Sequence, residues 1–218
     1  MRRFTYPAMT TALSRTATRF WNTRSPWRHG RRYLPDTVSP AVFLDRDGVI
    51  NRRRLDHVKS WEEFEFLPGV LEALAALRSM DTRVVVITNQ SVVGRGLLAA
   101  EGLRRIHARM LQAIRAAGGH VEAVYACLHA PAQGCICRKP APTLFYRASD
   151  DLGIRLSDSI MVGDSPTDVD AARAAGCRPI LISDGGNAVS PDVVAIKGLP
   201  EVVRLWRDLF AAVGAVPC

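Results

Sequence analysis

The chain has 218 residues, 48% of them hydrophobic and 23% charged, which suits one globular domain with a sizeable core and requires no second domain. No apolar stretch approaches the ~20 residues that span a bilayer, and no charged start, apolar centre and cleavage site line up as a secretory signal, so a cytoplasmic protein is expected. A formal net charge of +8 ordinarily points to nucleic acid or an acidic surface, but residues 1–35 hold eight of the 29 basic residues and no acid; the other basic residues equal the 21 acids in number.

Residues 1–35, rich in Arg, Ser and Thr, therefore form a basic extension, expected to be disordered and dispensable for folding and catalysis, ahead of a domain over 36–218. The same composition suits an organellar transit peptide, or noncoding sequence translated from a misassigned start in a chain with 26 Arg and 3 Lys.

Beyond Pro35, strands and helices alternate. The run Ala41-Val42-Phe43-Leu44 predicts a buried strand over 41–45 that closes on Asp45-Arg46-Asp47-Gly48, which places two carboxylates at a strand end. Two acids so spaced can serve one Mg2+, or divide into a nucleophile and a proton donor; a solvated turn or the start of a calcium loop has the same letters. Only about 17 residues separate Asn51 from Pro68-Gly69, too few for a lid domain. Leu71, Leu74 and Leu77 then mark a helix with one buried face. A strand over 84–88 runs into Thr88-Asn89-Gln90-Ser91, and Leu103, Ile106, Met110 and Ile114 mark a second helix. Further strands are predicted over 123–128, 159–163 and 179–182, with a shorter one at 193–196. The fourth strand runs into Asp164-Ser165-Pro166-Thr167-Asp168; Ser165 caps a helix that Pro166 opens and Gly176 closes. This alternation implies an α/β fold, a Rossmann-like, doubly wound parallel sheet with right-handed crossovers and its ligand site at the C-terminal strand ends.

Cys127-x-His129, five residues and then Cys135-x-Cys137 supply the Cys3His set of a closed tetrahedral zinc site. A disulfide is the rival, but a bridge from Cys135 to Cys137 is strained by its spacing, and the cytosol keeps thiols reduced. Cys177 reads as core, and His107 and His120 as ordinary packing or surface residues.

Asp45-x-Asp47, Thr88, Lys139 and Asp164 to Asp168, each after a strand and in this order over roughly residues 40–185, resemble the haloacid dehalogenase superfamily of phosphotransferases. The resemblance implies that the 41–45 strand is central and that Asp45 is a nucleophile forming an aspartyl phosphate. It makes Asp47 the general acid and then base, Thr88 and Lys139 the phosphoryl-binding groups, and Asp45, the main-chain carbonyl of Asp47 and Asp164 the ligands of Mg2+. Plainer roles exist for some of these residues: Thr88 and Asn89 as helix caps, Lys139 as a surface lysine, Asp168 as a cap or a partner of metal-bound water. The cysteine cluster just before Arg138-Lys139 resembles the capless histidinol-phosphate and heptose-bisphosphate phosphatase group, whose zinc loop is structural. Thr88-Asn89-Gln90-Ser91 followed by Gly94-Arg95-Gly96 is more similar to its heptose-bisphosphate members, and on that likeness Asn89, Gln90, Ser91 and Arg138 contact the sugar or its distal phosphate. Leu128, Thr143 and Val92-Val93-Gly94 depart from the usual pattern, and the loop at 52–57 carries three arginines. The expectation is a haloacid dehalogenase-like phosphatase with no large cap and a small zinc loop, using Mg2+ and structural Zn2+ on a small phosphorylated metabolite. It is expected to be monomeric and to engage neither membrane nor nucleic acid. A polynucleotide 3′-phosphatase is the outlying reading, favoured by the basic arm and opposed by the neutral body.

Overall fold

The computed structural model describes residues 17–20, 38–183, 190 and 193–211. In chain order these form β1 (Ala17–Phe20), β2 (Ala41–Leu44), α1 (Val70–Ser79), β3 (Arg83–Asn89), α2 (Ser91–Gly94), α3 (Ala100–Ala116), β4 (Ala123–Cys127), α4 (Thr143–Leu152), β5 (Ile160–Gly163), α5 (Pro166–Ala175), β6 (Arg178–Ile182), β7 (Val194–Ile196) and α6 (Leu199–Ala211). The strands make one sheet in the order β1-β4-β3-β2-β5-β6-β7, parallel at every pairing. The 41–45 strand is thus central, as expected, and every predicted strand is present to within a residue or so at its ends.

Alternation along the strands builds two cores, because successive side chains leave opposite faces of a sheet. Val42, Leu44, Val84, Val86, Val124, Ile160 and Val162 pack on one face with Leu74 and Leu77 of α1, Met110 and Ile114 of α3 and Trp206 of α6. Ala41, Phe43, Val85, Ile87, Tyr125 and Met161 pack on the other with Leu144 and Phe145 of α4 and Ala171 and Ala172 of α5. Phe43 meets Phe145 edge-on at 5.1 Å; truncating either ring to Ala costs about 3–5 kcal/mol. Both faces being covered explains why these strands read as unbroken apolar runs.

The strand β1 departs from the sequence expectation. Ala17–Phe20 runs parallel to β4, from Ala17 opposite Ala123 to Phe20 opposite Ala126, so this part of the supposedly disordered extension is an edge strand; residues 1–16 and 21–37 lie outside the described residues. With Thr18 and Arg19 inside it, the segment has no apolar run. Its place comes from the unpaired backbone edge of β4, to which side-chain patterning is indifferent.

No lid domain interrupts the described residues. Between β2 and α1 the chain forms turns with isolated bridges, Asp47 to Asn51 and Asn51 to Phe66, and Trp61 stacks on Phe64 at 5.1 Å to close that segment against the core.

Candidate active site

The strand-end segments converge beside β2. The N–H of Asp45 donates to the carbonyl of Val162 (2.9 Å), fixing the residue against β5. Facing it is Lys139, 3% exposed. Its ammonium lies 3.0 Å from Asp45 Oδ1 and 2.6 Å from Asp168 Oδ1, and it donates to the carbonyl of Ile87 (2.8 Å). Burial opposes the ammonium's charge, but Asp45 and Asp168 outweigh it and hold the lysine pKa above its ordinary value.

Asp164 completes an acidic corner: ligand atoms of Asp45, Asp164 and Asp168 lie within 4.8 Å of one another. Burial pushes the Asp45 carboxyl above its ordinary range, with Lys139 opposing and Asp168 and Asp47 adding. Burial raises Asp164 as well, against the exposed Arg53 guanidinium at 3.2 Å. Three acids around one buried ammonium leave excess negative charge, so an oxygen-seeking divalent cation fits this corner. Two glycines permit the convergence. Gly48 sits at φ +85° with the Asp164 carboxylate where a Cβ belongs, and a Cβ on Gly163 would overlap Asp168.

Asp168 takes the first of the two roles left open for it, the helix cap, and adds a contact with Lys139. Its Oδ2 caps α5 by accepting from the N–H groups of Asp164 (3.2 Å) and Ser165 (3.1 Å) and from the Ser165 hydroxyl (2.6 Å), while Oδ1 pairs with Lys139.

The carboxylate of Asp47 stands outside this trio. It accepts from Arg46 Nη2 (2.8 and 2.9 Å), Asn51 Nδ2 (2.9 Å) and Gln90 Nε2 (2.8 Å). Burial raises its pKa, but the Arg46 charge and these hydrogen bonds together win and hold it below the ordinary value. Gln90 Nε2 also donates to Thr88 Oγ1 (2.9 Å), linking the ends of β2 and β3. The Asn89 side chain brackets the Lys139 main chain, accepting from its N–H (3.0 Å) and donating to its carbonyl (3.1 Å). Ser91 is buried at the start of α2. Arg138 is half-buried, and its Nη1 is a buried donor with no hydrogen-bond partner among the described residues.

The four predicted zinc ligands are together. Cys137 Sγ lies 3.3 Å from Cys127 Sγ and 3.6 Å from Cys135 Sγ, Cys127 and Cys135 are 3.5 Å apart, and His129 Nδ1 is 3.2 Å from Cys137 Sγ and 3.7 Å from Cys127 Sγ. With Zn–S ~2.3 Å and Zn–N ~2.0–2.1 Å, a tetrahedral site has edges of about 3.5–3.8 Å, which these approach. The three cysteines are free thiols, so the rival disulfide is not formed. A hydrogen bond from Cys137 holds the Cys127 thiol down to about 5, and the same contact together with burial pushes the Cys137 thiol up, so one proton is shared between the two sulfurs.

Arg46, Asn51 and His107 were not singled out from the sequence. Arg46 stood between two acids with no role assigned to it, and His107, expected to be an ordinary packing or surface residue, is fully buried with Nε2 3.2 Å from Arg46 Nη1. No local pattern joins an α3 residue to the β2 loop.

Residues 8–176 match the family described as haloacid dehalogenase-like hydrolase. The chain belongs to the haloacid dehalogenase-like hydrolases. Within that family it is 41% identical over 170 residues to the D-glycero-beta-D-manno-heptose-1,7-bisphosphate 7-phosphatase of Bordetella bronchiseptica, covering 78% of this chain and 93% of the relative. It is 40% identical over 160 residues to the D-glycero-alpha-D-manno-heptose-1,7-bisphosphate 7-phosphatase of Mycobacterium bovis, covering 68% and 83%. The crystal structure of the B. bronchiseptica D,D-heptose 1,7-bisphosphate phosphatase complexed with magnesium and phosphate superposes with a TM-score of 0.73 at 36% identity, over 78% of this chain and 98% of that one. Among the described residues no helix of this hydrolase is long and apolar enough to cross a membrane.

Proposed function

We propose that this hydrolase removes the 7-phosphate of D-glycero-D-manno-heptose 1,7-bisphosphate, acting as a cytoplasmic monomer on a small metabolite rather than on nucleic acid, with Mg2+ in the acidic corner and a structural zinc in the Cys3His loop. The observation that carries the chemistry is the buried Asp45–Lys139 pair at the end of the central strand, with Asp164 and Asp168 beside it. The substrate follows from the named relatives.

Asp45, Asp164 and the main-chain carbonyl of Asp47 would hold Mg2+, which offsets the repulsion between a carboxylate nucleophile and phosphoryl oxygens. Lys139 and Thr88 bind those oxygens as fixed charge and hydrogen-bond donor. An Asp45 oxygen attacks phosphorus, the bond to the sugar oxygen breaks, and Asp47 delivers a proton to that oxygen; the product is an aspartyl phosphate. Asp47, now a carboxylate, takes a proton from the attacking water, and phosphate leaves as Asp45 is regenerated. Asp47 rests as the ionised form. A phosphoryl group arriving beside it raises its proton affinity by like-charge repulsion, as the first step requires. Asn89 holds the Lys139 segment in place, and the half-buried Arg138 would turn its guanidinium to the sugar or the distal phosphate.

The test is kcat/KM on heptose 1,7-bisphosphate of both anomers, histidinol phosphate and a 3′-phosphorylated oligonucleotide. The heptose ester is expected to exceed histidinol phosphate at least about tenfold, or ~1.4 kcal/mol; equal or reversed efficiencies reassign the substrate. Asp45→Asn is expected to abolish turnover, and retention of more than a few per cent of kcat would refute the covalent route.

A further inference from the structure

Arg46 stands between two site acids in the sequence, yet its guanidinium is turned inward and the residue is 1% exposed. A cation buried that deeply needs partners on each side. Nε and Nη2 meet Asp47 (3.3, 2.8 and 2.9 Å), the Phe64 ring centroid lies 6.0 Å from Cζ, and Nη1 is 3.2 Å from Nε2 of His107. The histidine comes from α3, 61 residues along the chain, and is fully enclosed. A guanidinium nitrogen can only donate, so Nε2 is the acceptor and the ring hydrogen resides on Nδ1. Burial, and then the Arg46 charge, hold the imidazole pKa down to about 3, which keeps the ring neutral and the Nε2 lone pair available.

We propose that His107 is a positioning residue for Asp47 and acts through Arg46: Nε2 fixes the guanidinium plane, and the guanidinium fork fixes the carboxylate. An apolar residue at 107 would fill the volume but leave Nη1 a buried donor without an acceptor. The guanidinium would then turn towards another oxygen and carry Asp47 with it. The inference rests on the phosphatase reading, which gives Asp47 its task. The step it affects is delivery of a proton to the departing alcohol. An alkoxide needs that proton, whereas a nitrophenolate leaves without it.

His107→Leu removes the acceptor, while His107→Gln retains one at comparable reach. The readout is kcat/KM on a sugar or alkyl phosphate that the wild type turns over, relative to kcat/KM on p-nitrophenyl phosphate. This quantity covers the steps up to departure of the alcohol, so hydrolysis of the aspartyl phosphate, which needs Asp47 for both esters, does not enter it. The leucine variant is expected to lose at least about tenfold more on the alkyl ester than on the aryl ester, and the glutamine variant to return the ratio to within about threefold of wild type. Should the leucine variant fail to fold, His107→Met, matched in length to Gln but without its oxygen, gives the same comparison. Equal losses on the two esters, or a glutamine variant whose ratio is no better than that of the apolar one, would overturn the proposal. A wild-type protein that hydrolyses neither class of ester would instead refute the phosphatase reading itself, and the positioning role with it.

Discussion

Lys139→Met removes the ammonium from the acidic corner while keeping most of the side-chain length. What is lost is the pair of contacts to Asp45 (3.0 Å) and Asp168 (2.6 Å) and the bond to the Ile87 carbonyl; what remains is three acids within 4.8 Å. Taking one partner from a buried ion pair costs about 3–5 kcal/mol, and a chain of this size loses about 2–4 °C of Tm per kcal/mol. In chelator near pH 8 the Tm should therefore fall by roughly 6–20 °C. The deficit should depend on pH. Asp45 and Asp164 have raised proton affinity in the folded state, so the folded chain binds more protons than the unfolded one. Their contribution is complete below the ordinary carboxylate pKa and is lost as pH rises through the raised values. Without Lys139 those values climb further, and the deficit against wild type should be smaller near pH 5 than near pH 8. Excess Mg2+ should raise the Tm of the variant more than that of the wild type, since it replaces a missing positive charge. Thermal scans at both pH values, in EDTA and in Mg2+, measure all of this, and turnover should fall by about 10²–10³. A Tm in EDTA within about 2 °C of wild type near pH 8 would refute the view that Lys139 offsets repulsion in this corner.

Cys135→Ser should lower zinc content and kcat while leaving Mg2+ affinity intact, because Cys137 is joined directly to Arg138-Lys139 whereas Asp45 and Asp164 hang from other strands; less than one zinc per chain by elemental analysis, in fully active protein prepared without chelators, would contradict this. Deleting residues 1–35 strips β1 from β4 and exposes a strand edge over Ala123–Cys127. A few ladder hydrogen bonds at about 0.5–1.5 kcal/mol each should lower the Tm by several degrees and promote self-association, with kcat on small esters retained. An unchanged Tm together with monomeric behaviour in light scattering would show that β1 contributes nothing to the fold.

The parts of the fold legible in the sequence were those where one physical rule decides the outcome. Strands covered on both faces must be apolar throughout, so β2 to β6 announce themselves, and polar letters directly after them mark the ligand edge. The sequence did not reveal β1, because an edge pairing depends on backbone groups that every residue carries. Nor did it reveal the Arg46–His107 contact, which joins a loop to a helix with no periodic relation between them.

The most instructive gap is the divergence of Asp45 and Asp47. Two residues apart on extended chain, their side chains would share a face; in the structure the turn with Gly48 at φ +85° and the Asp47–Asn51 bridge carry the second carboxylate round to Arg46, Asn51 and Gln90. The same residue type thereby acquires opposite tendencies, Asp45 raised by burial among acids and Asp47 held low by Arg46 despite burial. Each environment is complementary to what arrives. In the mechanism we propose, a cation in the acidic corner would lower the proton affinity of Asp45 and free it as a nucleophile, while an anionic phosphoryl group beside Asp47 would raise its affinity and let it carry the proton the leaving oxygen requires. On that proposal, the separation of nucleophile from acid comes from the turn between the two residues, through the partners it gives each of them.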